Sequence, residues 1–252
     1  MHVTIIPGFI LFLIGLIPTY FGLKYNKFRK LVLKTPTSKI WDLHKGIVEL
    51  YGEVNPSEKG TMISPIKQKE CVYYKYKIQE YRSYGKSGKY VTIREGEEHR
   101  PFYLQDLTGS VLVDSRNAKI DIFNKYKITT GFFKHIPASA IPFLQKNHIS
   151  FKSPIIGYKN MRFEEETIAP YSKIYLLGNV NNRFNLDDIP IKPGETEGLI
   201  QKNGEDTLYY ISDSKEEDVL RKYTTRTFAG FILGALAFLA GSVIILYSLF
   251  LF

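Results

Sequence analysis

The sequence predicts a membrane-anchored α+β protein, mainly β, in which an antiparallel barrel- or sandwich-like soluble domain lies between two transmembrane helices. Three observations carry that expectation. Each end of the chain is a long apolar stretch without charge. The residues between them alternate polar and apolar with a period of two. The excess positive charge is concentrated where each apolar stretch meets the middle of the chain.

The apolar ends come first. "VTIIPGFILFLIGLIPTYFGL" runs from Val3 to Leu23, and "FAGFILGALAFLAGSVIILYSLFLF" runs from Phe228 to Phe252. At 1.5 Å rise per residue each covers roughly 30 Å or more, the thickness of a bilayer's hydrocarbon core. Only Met1 and His2 precede the first stretch, so it has no basic leader, and no A-x-A-like cleavage site follows. We therefore expect an uncleaved anchor. Glycines are spaced for helix packing: Gly8, Gly15 and Gly22 recur every seven residues, and Gly230, Gly234 and Gly241 continue one face of the second stretch. In lipid, close backbone approach at small residues supplies contact energy between helices. The same residues would also serve a homo-oligomer through the second span.

The net charge of +9 resembles a nucleic-acid signature until it is mapped. Lys24, Lys27, Arg29, Lys30 and Lys34 follow the first apolar stretch, and Arg221, Lys222 and Arg226 precede the second. Without these eight, 26 basic side chains face 25 acidic ones, a net of +1. A near-neutral domain lacks the charge that neutralises phosphates, so no nucleic-acid partner is expected. The flanking charges instead mark membrane-surface contact, with attraction to anionic lipid headgroups of about 1 kcal/mol per basic residue. By the positive-inside bias they place the central domain in the cytoplasm of a protein integral to the cell membrane.

Between the spans, "TPTSKIWDLHKG" (35–46) predicts a short helix, with Thr35 as N-cap, Pro36 at the first turn and Gly46 as the stop. "GIVELYGEV" (46–54) alternates as a half-buried strand with Val48, Leu50 and Val54 inward. In residues 71–79, Val72, Tyr74, Tyr76 and Ile78 make one face, while Cys71, Tyr73, Lys75, Lys77 and Gln79 make the other. "PFYLQDLTGSVLVDS" (101–115) reads as strand, turn at Asp106–Gly109, and return strand. A short helix is expected near 137–146, and strands at 161–168 and 173–180. Asn203-Gly204 predicts a hairpin joining "EGLIQ" to "TLYYIS". "SKIWDLHKGIVELYGEV" and "ETIAPYSKIYLLGNV" echo each other weakly, each ending in an apolar strand and Gly-x-Val. Ser214-Lys-Glu-Glu217 is a capping box whose helix meets no breaker before the second span. The domain plan is thus a first helix at 3–23, a basic flank at 24–34, a β-rich domain at 35–213, a linking helix at 214–227 and a second helix at 228–252.

Chemistry is sparse. There is no nucleophile elbow, P-loop, dinucleotide fingerprint or HExxH helix, and His2, His44, His99, His135 and His148 are dispersed. "REGEEHR" (94–100) reads as a solvated hairpin tip, and "FEEET" (163–167) as an edge strand. The single cysteine, Cys71, permits no internal disulfide and rules out a cysteine-rich zinc module in these residues. Lys67 and Lys69 lie close enough in sequence to lower its pKa in principle. A small residue packing at a strand start is the ordinary use of a free cysteine, so we expect it to be structural. No catalytic, cofactor-binding or metal-binding residue is expected.

"TPTSKIWDLHKGIVELYGEVNP", "SPIKQKECVYYKYKIQEY" and "RFEEETIAPYSKIYLLGNV" together resemble the beside-a-membrane (GIDE) domain family, found in the mitochondrial ubiquitin ligase Mulan and in prokaryotic membrane proteins. The order of helix, domain and helix also matches. The resemblance implies a domain that binds partners beside the membrane. It also implies strand, turn and packing roles for Gly46, Gly52, Ser64, Pro65, Cys71, Tyr73, Tyr74 and Gly178. Ligase-type members continue past the second span into a zinc-binding RING that recruits a ubiquitin-charged partner. These residues end where that module would begin, and no RING is expected here. The expected function is therefore a non-catalytic binding or scaffold module. The alternatives are a part of an E3 ubiquitin ligase-like system with its RING on another chain, or a membrane hydrolase with an unrecognised site. In Mulan the domain lies between the mitochondrial membranes, whereas the flanking charges here favour the cytoplasm.

Overall fold

The computed structural model describes residues 5–85, 87–123, 125–131, 133–153, 157–182, 195–202, 204 and 208–250. The chain divides into two units, Met1–Pro36 with Glu216–Phe252, and Thr37–Lys215.

The first unit is helical. Helix α1 (Ile5–Ile14) leads through Gly15 into α2 (Leu16–Lys34). Pro18 has no N–H to offer the carbonyl of Ile14, which accounts for the interruption there. Gly15 itself keeps helical dihedrals, φ −61° and ψ −22°. The last helix, α4 (Glu216–Phe250), is 35 residues long and carries Glu216, Glu217 and Asp218 in its first turn, where the helix dipole favours acids. Two helical stretches, Ile6–Lys34 and Glu216–Phe250, are long and apolar enough to cross a membrane.

These helices meet at their glycines. A Cβ on Gly8 would lie 3.0 Å from the carbonyl oxygen of Gly241, one on Gly15 would lie 3.1 Å from that of Gly234, and one on Gly230 would lie 2.8 Å from the Cα of Gly22. As one partner number rises the other falls, so the helices run antiparallel. Phe12 and Phe238 pack between the contacts in a tilted arrangement, with centroids 4.9 Å apart. Where the chain turns basic, Phe28 and Tyr223 take over, at 4.1 Å.

The second unit is mainly β and contains a closed barrel. Strand β1 (Gly46–Pro56) pairs with β6 (Phe102–Gln105), which turns at Asp106–Gly109 into β7 (Ser110–Val113). Strand β7 pairs in parallel with β12 (Glu195–Gln201), β12 pairs with β11 (Lys173–Asn182), and β11 closes the ring on β1. Leu50, Val54, Phe102, Leu104, Val111, Val113, Ile174, Leu176, Ile200 and Ile211 are buried in one cluster. The two echoed segments thus contribute β1 and β11, which pair with each other.

The second sheet has the order β5-β4-β10-β9, built from β4 (Tyr73–Tyr84), β5 (Ser87–His99), β10 (Met161–Ile168) and β9 (Tyr126–Thr129). Its buried face, Tyr76, Ile78, Met161 and Phe163, packs on Ile136, Ala140 and Leu144 from the segment that carries helix α3 (Ile141–Lys146). A small ladder of β2 (Met62–Ile63) and β3 (Glu70–Cys71) precedes β4.

Several local expectations are corrected. Residues 35–46 form only one short 3-10 turn, Ile40–Asp42. Their backbone groups find tertiary partners instead: Ser38 N–H donates to the Glu49 carbonyl at 2.8 Å, and Ile40 N–H to Asp106 Oδ2 at 3.1 Å. The Asn203-Gly204 hairpin fails as well. Asn203 lies outside the described residues, but the strands around it do not pair with each other. Strand β13 (Tyr210–Ser212) lies on the same edge of β11 as β12, with Gln201 opposite Asn179 and Tyr210 opposite Leu177. Both strands are antiparallel to β11, and β13 pairs onward in parallel with β8 (Lys119–Asp121). "FEEET" is no edge, because β10 is flanked by β4 and β9. "REGEEHR" lies within and just after β5, opposite residues 73–78, while the far end of the ladder pairs Tyr84 with Ser87. Cys71 and Tyr73 are buried along with Val72, because the chain there passes between two ladders and both faces are covered.

Candidate functional site

Two buried polar clusters and an open aromatic cleft are candidate sites of the β unit. The first cluster centres on Glu165, which points from the middle of β10 into the turn after β2. Its carboxylate accepts hydrogen bonds from Ile66 N–H (2.7 Å), Lys67 N–H (3.0 Å) and Ser64 Oγ (3.2 Å). Burial raises its pKa above the usual carboxylate range, and the three donors only partly offset that. Ser64, Pro65 and Cys71 belong to this neighbourhood. Ser64 N–H donates to the Lys69 carbonyl, and the Cys71 thiol donates to the Met62 carbonyl at 3.5 Å.

Burial first, and then the charges of Glu165 and Glu98, push the Cys71 thiol up to about 12. Lys67 and Lys69 do not reverse this. A thiol in that state stays protonated at neutral pH and is a poor nucleophile.

The second cluster was missed by sequence reasoning. His99 Nδ1 lies 2.9 Å from Ser115 Oγ, and its Nε2 lies 2.8 Å from Glu97 Oε1, which Lys75 also approaches at 3.1 Å. Serine, histidine and glutamate in a row invite comparison with a hydrolase triad. Ser115 is fully buried, however, just beyond β7, so a substrate carbonyl has no path to its oxygen. His99 stacks on Tyr73 at 5.0 Å and bridges the barrel to the second sheet. The serine lies sixteen residues from the histidine, and no short motif announces the pairing.

The open cleft of about 430 Å³ lies beside the β4–β5 ribbon, lined by Tyr81, Tyr90, Thr130, Phe133, Lys134 and Asn160. Phe133 is 88 % exposed. The Arg162 guanidinium covers the Tyr90 ring at 3.9 Å, a cation–π contact that stiffens one wall. Among the described residues, no group of three or more His, Cys, Asp or Glu side chains is placed to hold a metal ion.

The other residues singled out in the sequence are distributed as follows. Gly46 opens β1 with φ +132°, and a Cβ on Gly52 would meet the Gln105 carbonyl oxygen at 2.5 Å. Tyr74 OH donates to Glu98 at 2.8 Å. A Cβ on Gly178 would lie 2.9 Å from the ring of Tyr209, the residue just before β13. Lys24, Lys27, Arg29, Lys30 and Lys34 lie on α2, and Arg221, Lys222 and Arg226 on α4. Arg221 pairs with Asp218 at 2.9 Å, and Arg226 lies over the Tyr25 and Tyr223 rings.

Fold and surface together define a β-barrel protein with two helices long and apolar enough to cross a membrane. A family model described as "GIDE: E3 Ubiquitin ligase" matches residues 73–246, more than half of the chain, and the chain belongs to that family. No curated protein matches the chain, and no solved structure does.

Proposed function

We propose that this protein is a non-catalytic binding or scaffold module, integral to the cell membrane, with its β unit on the cytoplasmic side. The observation that carries the reading is the contrast between sealed polar groups and an open aromatic cleft. Cys71 is buried with its thiol pushed up to about 12, Ser115 is fully buried, and the accessible surface at Tyr81, Tyr90 and Phe133 offers contact area rather than a reacting group. Tyrosine and phenylalanine beside Lys134 suit a protein partner, since exposed aromatics give large contact area at low entropic cost. The basic residues on α2 and α4 support a cytoplasmic placement and contact with anionic headgroups.

A second reading is favoured by the family description itself. Here the β unit positions a partner within an E3 ubiquitin ligase-like assembly whose RING is on another chain. These 252 residues hold one cysteine, too few for the zinc ligands of a RING.

Affinity capture from detergent-solubilised membranes, with partners identified by mass spectrometry, tests both. Wild type should retain a specific protein that Phe133→Ser loses while remaining folded. A RING-bearing partner would select the second reading, and equal recovery by both forms would exclude the cleft. Placement is tested by a Ser87→Cys variant in a Cys71→Ser background. A membrane-impermeant maleimide should leave it unlabelled in intact cells, and efficient labelling would refute the cytoplasmic assignment.

A further inference from the structure

Trp41 and Leu107 project from two neighbouring loops of the β unit. Trp41 is 65 % exposed, and Leu107, at the tip of the β6–β7 turn, is fully exposed. Neither position is slack. Ile40 N–H donates to Asp106 Oδ2, and Trp41 N–H donates to Thr108 Oγ1 at 3.2 Å, so each loop is tied to the other. Asp106 in turn accepts from Thr108 N–H and Gly109 N–H, which fixes the turn that presents Leu107. Two large apolar side chains are therefore held outward by backbone hydrogen bonds.

The surroundings indicate what meets them. Lys39 and Lys173 line the groove beside the pair together with Glu53 and Asp106, and Lys45 follows it in the chain. Asp42, the acid next to Trp41, lies 3.2 Å from His44, and both side chains are largely exposed. Covalent connectivity sets the range. Trp41 follows Lys34, the last residue of α2, by seven residues, which span at most about 25 Å when extended. The eleven helical residues from Lys24 to Lys34 rise only about 16 Å beyond the apolar stretch that ends at Leu23. The headgroup layer is thus within reach of Trp41. Tryptophan concentrates in that layer, where an apolar ring with one N–H donor meets both phases. Side chains on loop tips are convex, which suits a deformable surface better than the pocket a protein partner would need to supply.

We propose that Trp41 and Leu107 form a paired-loop anchor that inserts at the headgroup–acyl boundary of the membrane, with Lys39 and Lys45 at the phosphates. The proposal rests on the helices crossing that membrane and is independent of any partner at the Phe133 cleft. Trp41 is the only tryptophan of the chain, so its fluorescence reports on this site alone. The full chain is reconstituted into phosphatidylcholine vesicles whose acyl chains are brominated near the headgroup, and into unbrominated controls. Trp41 emission should shift to the blue, and bromine should quench it well below the unbrominated control, as expected for a side chain at the interface. Leu107→Asp should abolish most of that quenching while circular dichroism stays unchanged. Emission of a fully hydrated indole without bromine quenching would overturn the proposal. So would protection from acrylamide without bromine quenching, which would point to a second copy of the chain. Undiminished quenching in Leu107→Asp would refute the pairing. Loss of partner capture by Phe133→Ser with quenching intact would leave this anchor supported by itself.

Discussion

The helical unit and the barrel both depend on glycine, but for different reasons. In the helices, glycine faces backbone: Gly230 approaches Gly22 and Pro18, and Gly241 approaches Gly8 and Phe12. The missing side chain is itself the contact, because each glycine lets the backbone of the facing helix approach closely. In the barrel, Gly178 faces a side chain. The Tyr209 ring occupies the place a Cβ would take, and its hydroxyl donates to the Asp114 carbonyl at 2.8 Å. There glycine is the vacancy that lets a large buried group in. One use is a repeated surface and the other a single fitted space. They should fail differently.

The largest effect is expected at the repeated surface. Gly234→Leu places a branched side chain against Thr19 and the Gly15 carbonyl, and should destabilise the helix pair by about 3 kcal/mol or more. Leu236→Ile, at an exposed position on another face, should change stability by less than about 0.5 kcal/mol. Unfolding of the detergent-solubilised protein distinguishes the two, and equal effects would remove the packing role assigned to the glycine faces.

Next is the fitted space. Gly178→Ala should cost about 2 kcal/mol through collision with Tyr209 and with Ile200 Cγ2 at 3.0 Å. In a Tyr209→Ala background the added cost of Gly178→Ala should shrink, since most of the collision is gone. A double-mutant cycle measured by denaturant unfolding reads this coupling directly. Strict additivity would mean that Gly178 is not there for the ring.

Glu165 sharpens the comparison, being a buried polar group with no glycine to make room for it. Glu165→Gln should cost about 1–3 kcal/mol, because an amide –NH₂ then faces backbone donors. The pH dependence has a definite sign. Burial holds the folded carboxyl above its ordinary value of 4.5, so the unfolded state releases its proton first as pH rises. Its contribution is fully present below that value and is lost as pH rises through the raised pKa. Glu165→Gln should lack that loss in a series of unfolding curves; an unchanged slope would assign it to other groups.

The smallest effect is at Cys71. Cys71→Ala should lower stability by about 1 kcal/mol, since a small buried group is removed. With its thiol pushed up to about 12, alkylation of wild type at neutral pH should follow global unfolding. Fast labelling of folded protein would show an accessible thiolate.

Sequence and structure divided this molecule along the same line as its glycines. Features that repeat locally were legible. The apolar lengths gave the two long helices, period-two alternation gave β1 and β4, and strand runs with their turn residues gave β6, β7, β10, β11 and the Asp106–Gly109 reversal, because each is set by neighbours along the chain. The aromatic cleft and the His99–Ser115 contact had no such signal, since their members come together only when separate strands pair. Three misreadings share one physical cause. The segment 35–46 has helix caps but gives its N–H groups to Glu49, Asp106 and Thr108; "FEEET" alternates like an edge but is paired on both sides; and Asn203-Gly204 has hairpin composition, yet its flanking strands are claimed by β11. Local propensity is worth tenths of a kcal/mol to about 1 kcal/mol per residue, while leaving a buried backbone group unpaired costs about 1–3 kcal/mol, so the partner that tertiary structure supplies decides the outcome. The sequence by itself determined that there are two apolar helices around a β-rich middle. Only the fold decided which strands are neighbours, and therefore which side chains are sealed and which are left exposed.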